Sequence, residues 1–177
     1  MLFRSMVLAL AIVATATGVH GQQASEAAIK AAFLHKFLGY VEWPVEALPT
    51  PETPFVIAVS GSDEVAHELE RIVHGRNINS RRVVVRRLAD GDRFAGVHLL
   101  FVGRGEPVTR AMLRSAQQQG VLAVTESGRG LEQGAAINFV VADERVGFEV
   151  SMDAAERAGL KISSRMLAVA RRVVPRP

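Results

Sequence analysis

Three short apolar runs constrain what this chain can fold into more than any other feature. They lie at Phe55–Ser60, Val97–Val102 and Val121–Thr125. A continuous apolar run of this length is typical of a strand that is buried on both faces of a parallel sheet. Helix-like segments separate the runs, and this alternation predicts βαβ units. We therefore expect an α/β protein with a mainly parallel sheet.

Helix signals fill the intervals between these strands. One helix is predicted from a cap at Ser62 or Asp63 to about Val73, and a second over about 106–118. Between them, Arg81–Arg87 is predicted to be a further strand, because its centre is β-branched. We interpret the arginines at its two ends as protection of a sheet edge rather than as a nucleic-acid site.

The pattern changes in the C-terminal part of the chain. A glycine-rich loop at Glu126–Ala136 precedes two strand-like segments, Ile137–Val141 and Val146–Val150. The short polar interval between these segments predicts an antiparallel hairpin. A short helix that ends at Gly159 and a last helix over Arg165–Arg172 are predicted to follow.

A helix that precedes the sheet has clear start and stop signals. Ser25 is a suitable N-cap, and Pro44 is expected to end the helix at Trp43 because it lacks an N–H. Apolar residues at three- and four-residue spacing predict its core-facing stripe. That stripe consists of Ile29, Ala32, Phe33, Phe37, Tyr40 and Val41. Trp43 could cover core surface, or it could join Phe37 and Tyr40 as a partly exposed anchor for a partner.

Residues 1–21 have the pattern of a secretory signal peptide, with Arg4 before the apolar run Met6–Ala16 and a cleavage site near Gly21. The apolar run is too short to span a bilayer comfortably. We therefore expect export to the periplasm and one mature domain at 22–177. Removal of the leader takes away one positive charge, so the formal net charge falls from +3 to +2. So small an excess does not indicate a nucleic-acid partner.

Candidate reactive sites do not reach a recognisable pattern. The chain has no cysteine, which excludes disulfides and cysteine-bound metal. The loop Phe101–Pro107 resembles a phosphate loop, but Val108 stands where a dinucleotide fingerprint needs a third glycine. His67 begins a zinc-like motif, but Arg71 occupies the position of the second histidine. We therefore predict no enzyme, and no catalytic, cofactor-binding or metal-binding residue.

Several segments taken together resemble the YfiR-like family of bacterial periplasmic proteins. They are the first-helix motif Ala32–Pro44, the strand Gly96–Val102, and the later segments Val121–Glu126, Gly134–Phe139, Val146–Ser151 and Ala158–Ser164. The resemblance implies a single three-layer Rossmann-like domain that is not catalytic and often dimerises. It also implies a repressor that binds the periplasmic sensory domain of an inner-membrane diguanylate cyclase and lowers cyclic di-GMP signalling. The disulfide-forming cysteines of the family's founding member are absent here.

Two interpretations of the functional surface follow. If the chain acts by contact with a partner, aromatic residues near the first-helix exit and in the hairpin are the expected binding residues. They are Phe37, Tyr40, Trp43, Phe148 and the adjacent Glu149. The alternative is a periplasmic small-molecule sensor or carrier, with its ligand at the carboxyl ends of the parallel strands. The loops there are Gly61–Asp63, Gly103–Glu106 and Glu126–Gln133. An enzyme would instead require Asp63, Glu106, Glu126 and a histidine to converge in one cleft.

Overall fold

The computed structural model describes residues 25–89 and 94–176, and the leader predicted at residues 1–21 lies outside them. Its strands are β1 (Val41–Glu42), β2 (Phe55–Ser60), β3 (Asn77–Ile78), β4 (Arg81–Arg87), β5 (Leu99–Val102), β6 (Leu122–Thr125), β7 (Ile137–Ala142), β8 (Arg145–Ser151), β9 (Lys161–Ile162) and β10 (Arg172–Val174). Its helices are α1 (Glu26–Tyr40), α2 (Asp63–Val73), α3 (Arg110–Gln118), α4 (Gly130–Gln133), α5 (Met152–Arg157) and α6 (Ser164–Leu167), and a 3-10 turn spans Val45–Ala47.

Eight of these strands form one sheet in the order β10-β8-β7-β6-β5-β2-β4-β3. The neighbours from β4 through β2, β5 and β6 to β7 run parallel, and β10 is parallel to β8. The β3–β4 and β7–β8 pairs are antiparallel. This topology confirms the predicted α/β class, the mainly parallel sheet and the C-terminal hairpin. Strands β1 and β9 form a separate antiparallel pair.

Successive side chains of β5 point to opposite faces of the sheet and so define its two cores. Leu99 and Phe101 belong to the larger core, which includes residues of α1 and α2. Leu100 and Val102 belong to the smaller core, which includes residues of α3. All four side chains are fully buried. Helices therefore cover both faces of the sheet, as the three-layer expectation required.

Most predicted elements are present, with shifts at their starts. Ser62 caps α2, since its hydroxyl accepts a hydrogen bond from the Val65 N–H, and α2 ends at Val73 as predicted. Helix α3 begins later than predicted because Thr109 is its cap. The Thr109 hydroxyl accepts from the Met112 N–H at 3.1 Å, which satisfies a free N–H of the first turn.

The end of α1 differs from the prediction. The helix ends at Tyr40 rather than at Trp43, and β1 follows it at once. In β1, Val41 pairs with Ile162 of β9, and the Tyr40 carbonyl accepts from the Ser163 N–H at 2.9 Å. Strand pairing with β9 thus ends the helix before Pro44 is reached.

In the described part of the chain, no helix is both long and apolar enough to cross a membrane.

The predicted last helix, Arg165–Arg172, is wrong over most of its length. Only α6 is helical there, and β10 then joins the sheet beside β8. The Arg171 N–H donates to the Phe148 carbonyl at 2.8 Å where the new pairing begins. Unpaired backbone groups of β8 thus gain partners from the end of the chain, and tertiary pairing overrides the local helix preference.

Candidate functional site

Two of the predicted partner-binding residues, Phe37 and Phe148, lie inside the larger core. Their rings meet edge to face with centroids 5.0 Å apart, a favourable geometry for aromatic pairs. Phe139 stacks on Phe37 at 6.0 Å, and Phe33 lies 5.4 Å from Phe148. These four rings, which we call the phenylalanine cluster, join α1 to the hairpin. Burial therefore removes Phe37 and Phe148 from any surface that a partner could touch in this structure.

The other two aromatic residues lie at the end of α1 in different environments. Tyr40 is 41% exposed. Trp43 is partly buried, and its ring centroid lies 5.2 Å from that of Phe55 and 6.4 Å from that of His98. Its indole Nε1 is buried without a hydrogen-bond partner among the described residues. Tyr40 thus offers accessible aromatic surface, whereas Trp43 packs mainly against the edge of the core.

His98 lies beneath Trp43 and links three segments through its ring nitrogens. Its Nδ1 accepts from the Val56 N–H at 3.1 Å, and its Nε2 lies 2.9 Å from the Ala47 carbonyl oxygen. Nδ1 is an acceptor and Nε2 a donor, which is the pattern of a neutral imidazole. Burial lowers the pKa of His98, and the nearby charge of Arg81 acts in the same direction, although the bond to Ala47 opposes them. This histidine has a structural role.

Glu149, the remaining predicted partner-binding residue, is held by Arg172 across the β8–β10 pair. The guanidinium donates to both carboxylate oxygens, with Nε–Oε1 and Nη2–Oε2 distances of 2.8 and 2.9 Å. Hydrogen bonding to Arg172 lowers the pKa of the Glu149 carboxyl. Two parallel charge-assisted bonds fix the geometry of this pair. Glu149 therefore stabilises the added strand within the chain.

The loops at the carboxyl ends of β2, β5 and β6 meet near the start of α1, around Lys30. The Lys30 ammonium contacts the carboxylates of Glu26 and Glu126. The Arg104 guanidinium lies 3.3 Å from a Glu26 oxygen and 3.5 Å from a Glu126 oxygen. The Lys30 and Glu126 side chains are only 4% and 7% exposed. A cavity of about 270 Å³ adjoins this charge cluster and is also lined by Glu64.

The charges of this cluster are matched one for one within the protein. Its cations are Lys30 and Arg104, and its anions are Glu26 and Glu126. The hydrogen bond from Lys30 lowers the pKa of Glu26, and both cations add to this effect, whereas partial burial opposes it. A buried ammonium is tolerated when carboxylates compensate it in this way. The cluster ties the first turns of α1 to the end of β6.

Asp63, Glu106 and Glu126 do not line one cavity together at this edge of the sheet. The described lining of the cavity contains Glu126 but neither Asp63 nor Glu106. Asp63 points outward, with its side chain 95% exposed, and pairs with Arg87 at 2.8 Å. Among the described residues, no group of three or more histidine, aspartate or glutamate side chains is arranged to hold a metal ion.

The backbone N–H groups of the loop after β5, which contains Gly103 and Gly105, donate hydrogen bonds to other groups of the protein. The Gly103 N–H donates to the Ser60 carbonyl at 2.8 Å, and the Gly105 N–H donates to the Gly61 carbonyl at 2.9 Å. A Cβ at Gly103 would lie 2.6 Å from the Gly61 oxygen, so glycine permits this close contact. The Arg104 N–H donates to the Glu126 carboxylate at 3.1 Å. The loop joins two strand ends and does not form a phosphate cradle.

An open groove of about 510 Å³ runs between α1 and α2, and sequence reasoning missed it. Its apolar floor is formed by Ala28, Ile29, Ala32, Phe33 and Ile72, and its polar rim by His35, Lys36, Arg71 and Arg76. We call this feature the α1–α2 groove. Three of the rim residues carry positive charge, and none of the described residues that line the groove is acidic.

The groove corrects the predicted core face of α1. Ile29, Ala32 and Phe33 were expected to face the core, yet they are only partly buried and line the groove instead. Phe37 and Val41 of the predicted stripe are buried as expected, whereas Tyr40 is exposed. The other enclosed apolar side chains lie on a neighbouring stripe: Ala31, Leu34 and Leu38. This second stripe also has three- and four-residue spacing, because α1 is apolar around most of its circumference. Two apolar stripes on one helix are a sequence signal for a second contact surface.

Comparison with protein-family models gives a match over most of the chain. The model of a family described as YfiR/HmsC-like (DUF4154) matches residues 27–171, from the second residue of α1 to the residue before β10. No protein in a search of curated sequences matches the chain. The matched region contains strands β1–β9, both walls of the α1–α2 groove and every member of the charge cluster except Glu26. The chain therefore belongs to the YfiR/HmsC-like family.

Proposed function

We propose that this protein is an exported repressor that binds the periplasmic sensory domain of an inner-membrane diguanylate cyclase and so lowers cyclic di-GMP signalling. The observation that carries the proposal is the family match, which extends over residues 27–171 and hence over almost all of the described fold. The family is periplasmic and is associated with control of diguanylate cyclase signalling. In this proposal, residues 1–21 direct export and are removed near Gly21.

A repressor of this kind acts by contact, and α1 provides surface suited to contact. Tyr40 is exposed at the end of the helix, and the floor of the α1–α2 groove presents apolar side chains to solvent. A few residues, most often Trp, Tyr and Arg, contribute most of the binding energy in protein interfaces. We propose Tyr40 as a direct contact and Trp43 as its neighbour in the same interface. Phe37 and Phe148 act beneath this surface by holding α1 in place.

A disulfide within this chain cannot control the interaction, because the sequence contains no cysteine. Oxidation or reduction of this chain before it is mixed with the partner should therefore leave binding unchanged. The homodimer implied by the resemblance is part of the proposal, and light scattering of the exported protein would measure it.

The test of this function is genetic and biochemical. Deletion of the gene in the host should raise intracellular cyclic di-GMP, measured by mass spectrometry, and a plasmid copy should restore it. The tagged protein should retain a membrane diguanylate cyclase from detergent-solubilised membranes. Unchanged cyclic di-GMP after deletion, or recovery of soluble proteins alone, would contradict the proposal.

A second candidate function is supported by the cavity beside the charge cluster. A small charged ligand could bind among Lys30, Glu64 and Arg104, at the carboxyl ends of the strands, where open α/β sheets bind ligands. Internal pairing of the charges weakens this candidate, because a ligand must displace existing contacts. Thermal melting with putrescine or succinate would test it, since a ligand that binds the folded state raises the melting temperature. Unchanged melting with both compounds would count against this site.

A further inference from the structure

We propose that the α1–α2 groove is the docking site for an acidic amphipathic helix of the partner protein. This inference rests on the proposed function, which supplies a protein partner, and it goes further by naming the surface and the chemistry of the segment that occupies it. The argument uses the length of the groove, the packing of its floor and the sign of the charge on its rim.

The length of the groove suits a helix. On α1 the groove is lined from Ala28 to Lys36, and at about 1.5 Å of rise per residue this part of the helix extends for about 12 Å. A partner helix with about two turns in contact would match this length, with apolar residues at positions i, i+3 or i+4, and i+7. Ala28 and Ala32 have small side chains, which would allow the backbone of a second helix to approach closely.

The floor of the groove is supported from beneath. One side of Phe33 is open to the groove, while its ring lies 5.9 Å from that of Phe37 and 5.4 Å from that of Phe148. The phenylalanine cluster therefore holds this residue in place before a partner arrives. Surface that is ordered in advance loses little side-chain entropy on binding, which favours affinity.

The charge on the rim selects the partner. Lys36 and Arg76 are exposed on the rim. Arg71 forms an ion pair with Glu68, with 2.8 Å between Nη2 and Oε2. Burial lowers the pKa of His35, and the charges of Arg76 and Lys36 lower it further, as expected for a ring surrounded by cations. A partner with acidic residues beside its apolar stripe would complement this rim and exclude basic competitors.

A second copy of the chain fits the groove less well than an acidic partner does. In a two-fold symmetric dimer the same patch meets itself, so basic rim would face basic rim. Like charges placed together across an interface oppose association. The groove is also open to solvent along α1, which favours an extended occupant over a small enclosed ligand.

The test uses charge reversal with a matched control. Lys36→Glu/Arg76→Glu reverses the rim, and Arg110→Glu/Arg114→Glu makes the same change of net charge on α3, on the opposite face of the sheet. All four side chains are exposed, so both variants should fold, and circular dichroism would verify this. The probe is a fluorescein-labelled amphipathic peptide of about 18 residues, with leucine on one face and glutamate on the other. A second peptide carries lysine in place of glutamate.

In fluorescence anisotropy, the wild type should bind the glutamate peptide at least about tenfold more tightly than the lysine peptide, a difference that complementary charges can supply. The rim variant should reverse this preference, and the α3 variant should keep it. The inference fails if the wild type shows no preference, or if the rim variant binds like the wild type.

Cyclic di-GMP measurements separate this inference from the proposed function. In the deletion strain, the α3 variant should restore repression and the rim variant should not. If deletion raises cyclic di-GMP but the rim variant represses fully, the docking site is wrong and the proposed function stands. If deletion has no effect, the proposed function is wrong, and the peptide titration alone decides what the groove binds. If the wild type is a dimer and the rim variant is a monomer, the groove binds a second copy of the chain and the inference is wrong.

Discussion

The side chain of Arg171 lies across Gly147 and occupies the space that any Cβ at that position would need. An ideal Cβ there would lie 2.2 Å from Arg171 Nε and 2.7 Å from its Cδ. The same guanidinium donates to the carbonyls of Ala142 and Arg145, each at 3.3 Å. Arg171 thus clamps the two strands of the hairpin together at the turn end, and the glycine makes room for this clamp.

Replacement of Gly147 by alanine should therefore displace the Arg171 side chain and destabilise the fold by about 1 kcal/mol, because its hydrogen bonds to Ala142 and Arg145 are lost. Urea unfolding followed by circular dichroism would measure the change. Gly128→Ala is the control, because a Cβ there meets no atom within 4 Å. In a double-mutant cycle, Arg171→Ala should make the Gly147 substitution much less harmful. Equal effects of the Gly147 change with and without Arg171 would contradict the clamp.

The buried ammonium of Lys30 gives a second prediction. Among the described residues, Lys30→Met leaves the enclosed Glu126 carboxylate with Arg104 as its one cationic neighbour, and should destabilise the fold by about 3 kcal/mol. The double variant Lys30→Met/Glu126→Gln removes both charges and should recover much of this loss. Chemical denaturation of the wild type, the single variant and the double variant would measure their free energies of unfolding, and the single variant should have the lowest value. A single variant as stable as the wild type would show that the pair contributes nothing.

Acid should destabilise the protein through His98. Burial lowers its folded-state pKa below the value of about 6.5 expected in an unfolded chain. The stabilising contribution of the neutral ring is therefore fully present above that pH, and it is lost as the pH falls through the folded-state pKa. Denaturation between about pH 7 and pH 5 should show a decline that His98→Asn reduces, since an asparagine oxygen can still accept from Val56 N–H.

His35→Gln is the control for this pH effect. The pKa of His35 is also lowered, and burial is the largest cause. His35→Gln should remove its own share of the decline and leave the share of His98. If the pH dependence of the His98 variant equals that of the wild type, the histidine is not responsible for it.

Tyr40 and Trp43 should separate binding from stability. Tyr40 is exposed, so Tyr40→Ala should change the free energy of unfolding by less than about 0.5 kcal/mol. It should weaken retention of the membrane partner by about tenfold or more, as the loss of an aromatic contact does. Trp43→Ala removes packing against Phe55 and should destabilise the fold by about 2 kcal/mol or more. If the Tyr40 variant binds normally, Tyr40 is not a contact.

The strands that the sequence predicts best are those buried on both faces. For β2 the predicted and observed limits agree, because a parallel strand between two helical layers must be apolar throughout, and turn residues delimit it. The hairpin was also predictable, since the alternation of Phe148 and Val150 with polar neighbours sets its inner face. In both cases the local pattern alone records which side chains are enclosed.

Other features depend on distant parts of the chain. Strand β1 has two residues, and its pairing with β9 joins segments about 120 residues apart, which no local pattern encodes. Burial of Lys30 depends on Glu126, which is 96 residues away. The orientation of α1 could not be chosen from periodicity, because two apolar stripes fit equally well and only the packing of Leu34 and Leu38 against the sheet decides between them.

The two outermost strands of the described sheet are unusually short. Strand β10 has three residues and β3 has two, whereas β8 and β4, which they cover, have seven each. Each outermost strand offers at most three residues on which another polypeptide could extend the ladder, and arginines flank both strands. Copies of this protein at high concentration should therefore convert only slowly into cross-β fibrils, because short outer strands and flanking charges discourage further strand pairing.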